Sequence, residues 1–288
     1  MISARPLAPL LLALAASACA VQAATADKAD EPSALPLRGD WIQGGVLVGH
    51  VERGSQVTLD GMPLRVAPDG AFVFGLDRDA PAQVELVVRS PAGAELRWSH
   101  AVARREWDVQ RLEGVPPDKV TPPKSALKRI QRENAKARAA RMRDTARSDF
   151  AQSFAWPCEG RISGIFGSQR ILNGIPKQPH YGVDVAVPVG TEVRAPAGGV
   201  VALAAKDMYY TGGTLILDHG HGLSSTLMHL SKLQVKQGQV VKRGEVVALS
   251  GMTGRATGPH LHWGMSWFDR RVDAQLLAGP MPGAGSGH

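Results

Sequence analysis

The sequence predicts a mainly β chain: a small N-terminal β-sandwich, a long basic connector helix, and a larger C-terminal antiparallel β domain. Three observations predict it. Short runs of branched and aromatic residues alternate with Asp-Gly and Pro-Gly turn signals in both halves of the chain. Residues 124–150 contain neither glycine nor proline and are rich in Ala, Arg and Lys, a composition that favours helix. The 288 residues include 32 Gly and 20 Pro, a supply of turn formers that suits many short strands. Hydrophobic residues make up 44% and charged residues 20%, so the chain can bury a core and is not an extended disordered polymer.

Taken in order, the chain opens with Arg5, an apolar run from Leu7 to Ala18, and the small-residue site Val21-Gln22-Ala23. This pattern predicts a secretory signal peptide over 1–23, since the run is too short to span a bilayer. Export follows, with the periplasm as the expected compartment. A second reading rests on Cys19, which follows Ala16-Ser17-Ala18 and resembles a weak lipid-anchoring site. No later segment approaches ~18 consecutive apolar residues, so no transmembrane segment is expected. Cys158 is the other cysteine; with no partner it reads as a buried small hydrophobe, not as part of a disulfide framework.

Residues 24–39 read as a flexible leader. From Trp41 the character changes. Val46-Leu47-Val48, Val57-Thr58-Leu59, Ala71-Phe72-Val73-Phe74 and Val84–Val88 are strand-like runs separated by Asp60-Gly61, Asp69-Gly70 and Pro91-Ala92-Gly93. They predict an immunoglobulin-like sandwich over 40–113. It holds no cluster of His, Cys or paired acids, so its expected role is spacing, binding or regulation. Four prolines in 114–123 make a stiff linker.

The helix predicted over 124–150 would be roughly 40 Å long. It carries nine Lys or Arg against Glu133, Asp144 and Asp149, a net of +6 in a chain of net charge +7. Its thin apolar face suits a solvated connector or contact with an anionic surface. Outside the cytoplasm nucleic acid is not an expected partner, whereas wall polymers and phospholipid head groups are anionic. Residues 151–278 return to short β runs, and 279–288 form a Gly/Pro-rich tail.

Four of nine histidines and one aspartate fall in three segments of the C-terminal domain: His180-Tyr181-Gly182-Val183-Asp184, Met228-His229-Leu230 and His260-Leu261-His262-Trp263. In a strand, His260 and His262 share one face about 6.6 Å apart. Alone, that is a weak signal of a common metal, and two histidines on a polar face is the plainer reading. His180 and Asp184 in a straight strand would lie about 13 Å apart, so a shared ion requires a bend, for which Gly182 is suited. Two His and one carboxylate form the donor set of a catalytic zinc site with an open position for water. His219 and His221, in Asp218-His219-Gly220-His221-Gly222, read as exposed residues of a hairpin loop.

The order His180-x-x-x-Asp184, then His229, then His260-x-His262 resembles the signature of the lysostaphin/LytM-type zinc peptidases, which cut peptide stems or bridges of peptidoglycan. Phe166-Gly167 with Arg170, Ala195–Val201, His219-Gly220 and Gly254–Trp263 are similar to runs of that family. The resemblance implies that His180, Asp184 and His262 bind one zinc ion per chain. It also implies that His229 and His260 activate the water and stabilise the tetrahedral intermediate. Some relatives place a Tyr before the first motif. Here Ile171-Leu172-Asn173-Gly174-Ile175 has none, so Arg170 or Asn173 becomes the candidate substrate contact.

The function implied is a zinc endopeptidase of peptidoglycan crosslinks, and the expected bond is D-alanyl-diaminopimelate. The alternative is a catalytically silent wall-binding activator of another hydrolase, against which the complete ligand set counts. Relatives also carry domains that cover the groove until a regulatory partner removes them, which makes residues 40–150 a candidate cover.

Overall fold

A computed structural model describes residue 1, residues 35–113 and residues 122–282. The expected signal peptide, Cys19 included, nearly all of the expected leader, the first linker prolines and the end of the tail fall outside these residues apart from Met1.

Two antiparallel sheets make the N-terminal sandwich. One joins β1 (Leu37–Arg38), β2 (Val46–His50) and β5 (Ala71–Gly75). The other joins β3 (Gln56–Leu59), β4 (Met62–Leu64), β6 (Gln83–Arg89) and β7 (Glu95–Ala101) in the order β4-β3-β6-β7. Strand β6 alternates as the period-2 pattern demands: Val84, Leu86 and Val88 are buried and Gln83, Glu85 and Arg89 are exposed. Leu47, Phe72, Phe74, Leu59 and Leu86 fill the space between the sheets. The next strand, β8 (Val109–Leu112), leaves the sandwich and pairs in parallel with a strand of the second half.

The connector is shorter than its composition predicts. An α-helix, α1, runs from Leu127 to Arg141, preceded by a 3₁₀ turn at Lys124–Ala126. Met142 donates to the Arg138 carbonyl and ends the helix. Beyond it, tertiary contacts override helix propensity. Arg65 of the sandwich grips Asp144, with Nε to Oδ1 at 2.7 Å. Thr145 Oγ1 donates to Asp218 at 3.0 Å. Helix α1 lies on the large sheet through Ile130 and Ala140, and Ala140 meets Ala202 and Ile216. Arg129, Arg138, Arg143 and Arg147 pair with carboxylates of the chain itself. Part of the charge that the sequence offers to an anionic surface is thus taken up internally.

The second half adds β9 (Arg161–Gly164), β10 (Gln169–Leu172), β11 (Ile175–Pro176), β12 (Val183–Ala186), β13 (Glu192–Arg194), β14 (Gly199–Met208), β15 (Gly212–Gly220) and β16 (Leu223–Leu230). There follow β17 (Lys232–Leu233), β18 (Val240–Val241), β19 (Val246–Leu249), β20 (Leu261–Trp267), β21 (Arg270–Val272) and a short helix α2 (Ala274–Ala278). Eight of these strands form one sheet in the order β18-β14-β15-β16-β20-β12-β9, with β21 beside β20. The pairs between successive strands of this sheet are antiparallel. Sandwich and sheet share one apolar cluster. At their contact, a Cβ added to Gly75 would sit 2.8 Å from Trp267 and Val272. Among the described residues no helix is long and apolar enough to cross a membrane.

Candidate metal centre

Register brings the first two candidate ligands together. On adjacent antiparallel strands Asp184 of β12 lies directly opposite His262 of β20, and opposed residues share a face. His262 is flanked by Leu261 and Trp263, both fully buried on the other face. The alternation that the sequence shows is therefore the alternation that aims His262 outward. His262 Nδ1 lies 2.9 Å from Asp184 Oδ1.

His180 arrives from outside the strand. Its backbone N–H donates to Ser168 at 2.7 Å, and its carbonyl accepts from Gly167 at 2.8 Å. These bonds bend the chain before β12 starts at Val183. His180 Nε2 then stands 3.0 Å from Asp184 Oδ1 and 3.0 Å from His262 Nδ1. The expected bend exists, but Gly182 is needed for a different reason. It does not take a positive φ; an added Cβ would instead lie 2.6 Å from His262 Nε2 and 2.6 Å from the Trp263 carbonyl. Gly182→Ala should cost about 1–3 kcal/mol of stability by overpacking and displace the His262 ring. Thermal melting of the metal-free protein and a zinc titration check this, and an unchanged pair of values would contradict it.

The tautomers are set by the main chain. His180 Nδ1 lies 2.9 Å from the Ile165 carbonyl, which can only accept, so the proton sits on Nδ1 and the Nε2 lone pair faces the cluster. His260 Nδ1 is committed likewise to the Gly258 carbonyl at 2.8 Å, and His229 Nδ1 to the Thr253 carbonyl at 2.8 Å. Burial opposes ionisation of Asp184, yet the adjoining His180 and His262 rings prevail and hold its carboxyl far below the usual range.

His180 Nε2, Asp184 Oδ1 and His262 Nδ1 thus form a triangle with sides of 2.9–3.0 Å. Donors at zinc's bond lengths are about 3.3 Å apart in a tetrahedron. Two imidazoles and a carboxylate converging at this spacing fit zinc in size and in chemistry. These three are the one such group among the described residues. Their side chains keep 24%, 23% and 10% exposure, so the point they surround is open on one side.

His229 reaches the same cleft through a distortion. It follows Met228, which pairs with His262, so a regular strand would turn His229 to the opposite face. A register shift between Gly213 and Leu215 on the neighbouring strand marks a bulge here, and His229 takes φ 62°. Bulges re-aim side chains in this way, and strained φ values gather at functional sites. The His229 ring lies 4.6 Å from that of His260 and 6.3 Å from that of His262. Burial pushes His229 down to about 4, so it is a free base at neutral pH. His260 Nε2 is 3.8 Å from Asp184 Oδ1.

The sequence model of Peptidase family M23 matches residues 178–274, a span that contains all five of these residues. The crystal structure of a Pseudomonas aeruginosa protein assigned to peptidase M23 aligns with a TM-score of 0.65 at 34% identity, over 83% of this chain and 95% of that one. The chain belongs to peptidase family M23. The structural likeness extends beyond the peptidase span into the N-terminal half, since 83% of the chain is covered. This M23 chain is 42% identical over 123 residues to the peptidoglycan DD-endopeptidase ShyA of Vibrio cholerae, a stretch that is 42% of the chain and 28% of ShyA. It is 41% identical over 113 residues to lysostaphin of Staphylococcus simulans, 38% of the chain and 22% of lysostaphin. The chain therefore spans less than a third of the length of these two curated relatives.

The other sequence candidates are not members of the triangle. Arg170 is exposed on β10. Asn173 and Gly174 take φ 49° and 75° in the turn between β10 and β11, an Asn-Gly hairpin turn. His219 and His221 do form a hairpin, but they are buried, not exposed. The connector covers that hairpin: His221 N donates to Thr145, and Phe150 packs on the His221 ring. His219 Nδ1 donates to the Gly198 carbonyl and its Nε2 accepts from Ser225, whose oxygen accepts from Trp263 Nε1. This chain of hydrogen bonds fixes the strand behind His262. Cys158 is buried as expected, and burial, with the Glu159 charge, pushes its thiol up to about 12.

Proposed function

We propose that this chain is a zinc endopeptidase that hydrolyses peptide crosslinks of peptidoglycan. The observation that carries the reading is the acceptor triangle of His180 Nε2, Asp184 Oδ1 and His262 Nδ1 with two main-chain-oriented histidines beside it. The naming of the Vibrio relative as a peptidoglycan DD-endopeptidase supports the substrate class.

His180, Asp184 and His262 would hold the ion. Zinc supplies a Lewis acid for a carbonyl and lowers the pKa of water toward 7. His229 Nε2, unprotonated because Nδ1 carries the ring proton, accepts the proton of the attacking water. Once charged, the same nitrogen can return that proton to the departing amine. His260, fixed by Gly258, presents Nε2 from the opposite ring, and when protonated it donates to the oxyanion of the tetrahedral intermediate. Trp263, Ser225 and His219 keep water from the back of the sheet and hold β20 in place.

The proposed place of action is the periplasm, supported by the signal-like residues 1–23, and the proposed bond is D-alanyl-diaminopimelate. The test is the metal content of the purified mature protein together with the products it makes from crosslinked muropeptide dimers. One zinc per chain and monomers split at that bond are expected. Zinc without cleavage of any dimer would reject the enzymatic reading in favour of a silent wall-binding protein.

A further inference from the structure

The N-terminal sandwich makes its most specific polar contact with the second half just behind the first ligand. Arg78, 9% exposed, donates Nε to the Gly167 carbonyl at 2.9 Å. Trp107 lies flat on Gly167, so closely that an added Cβ would sit 2.0 Å from its ring. Gly167 has φ 86°, so both its conformation and the indole demand glycine. Arg78 and Arg105 stack on Trp107, 5.1 and 4.6 Å from its centroid. Arg105 is tied in turn to the buried Asp273 at 2.8 Å. Just past Trp107, the Asp108 carbonyl accepts from Gln169 N, and β8 continues as a parallel partner of β10.

The clamped loop is the one that holds His180. Ile165 accepts from the ring Nδ1, Ser168 accepts from the His180 N–H, and Gly167 donates to the His180 carbonyl. Three backbone groups of residues 165–168 therefore set the ring plane and the main-chain position of the first ligand. Gly167 donates its N–H to His180 and accepts from Arg78 with its carbonyl. The sandwich is itself seated firmly on β20 and β21 through the shared core.

We propose that the sandwich is a brace for the metal centre, in which Arg78 and Trp107 act through the 165–168 loop as positioning residues for His180. This rests on the reading of His180, Asp184 and His262 as zinc ligands. It assigns the N-terminal part a share of metal affinity, where the sequence suggested a removable cover. Outer contacts to ligating histidines are typically worth 10–100-fold in metal affinity, and Arg78 stands one contact further out. The expected effect of Arg78→Met is therefore roughly 10-fold. Methionine keeps the apolar stem against Trp107 and removes the donor.

The test is competition for zinc between the full mature protein and a chromophoric chelator, with far-UV circular dichroism and metal-free melting run alongside. Arg78→Met should weaken zinc binding about 10-fold. Arg78→Lys, which can still donate to Gly167, should recover most of it. Arg65→Ala breaks another contact of the sandwich, to Asp144, and should leave zinc affinity unchanged. Zinc affinity within twofold of wild type in Arg78→Met would overturn the brace while leaving the metal site intact. Equal weakening in Arg78→Met and Arg65→Ala would overturn it too, since the effect would then be general destabilisation. A wild-type protein that binds no zinc would overturn the underlying site reading and the brace with it.

Discussion

Asp184→Ala is expected to remove zinc from the protein and to abolish crosslink cleavage. Asp184 Oδ1 is the shared vertex of the triangle, 3.0 Å from His180 Nε2 and 2.9 Å from His262 Nδ1. Without it two imidazoles remain, and their lone pairs face each other at 3.0 Å with no charge to balance a dication. Losing an outer contact already costs about 10–100-fold, so loss of a ligand should exceed roughly 100-fold in affinity. The alanine leaves Asp184's strand pairing intact, because β12 is held by backbone bonds to β20 and β9. Metal analysis after dialysis checks the outcome. Full zinc occupancy in the variant would remove Asp184 from the ligand set. His180→Ala should behave in the same way.

His229→Ala gives the second large effect and separates binding from chemistry. His229 lies outside the triangle, with its ring 6.3 Å from that of His262, so zinc should stay bound in a one-to-one ratio. Turnover should fall by about 10²–10⁴, the usual worth of a positioned general base. The backbone at φ 62° suits histidine better than alanine, so zinc content in the same samples also controls for a change in local strain. Comparing kcat on a soluble dimer with zinc content in the same samples reads both effects. His260→Ala should show the same dissociation of zinc from turnover, and full activity in it would remove His260 from the mechanism.

The sequence carried the candidate site because its residues bear their chemistry in their side chains. Two motifs and one isolated histidine named all five members, and alternation around Leu261 and Trp263 pointed His262 to the open face. What it did not carry is held by the main chain. Ile165, Gly258 and Thr253 orient His180, His260 and His229 through carbonyls, and any residue type can offer a carbonyl. The bulge that redirects His229 depends on the register of β15 against β16, a property of two strands together.

The fold follows the same division. Strand alternation and turn signals placed the sandwich strands, because burial on one face leaves a period of two in the residue types. The helix that composition predicts is longer than the one that forms, for a physical reason. Residues 142–150 have helical composition, but Arg65, Asp218 and the β15–β16 hairpin give them better partners than a helix offers. The same contacts bury His219 and His221, which a local reading places on an exposed loop. Pairing of β8 with β10 joins segments 60 residues apart, and Arg78 reaches the site only through Gly167, so neither leaves a local signal.

The measurement that tests the central claim most directly is release of soluble muropeptides from purified peptidoglycan by the mature protein, with and without a chelator, read by mass spectrometry. The account predicts loss of crosslinked dimers that a chelator stops, that added zinc restores, and that Asp184→Ala does not show. Cleavage that continues unchanged in the chelator and in Asp184→Ala would contradict it.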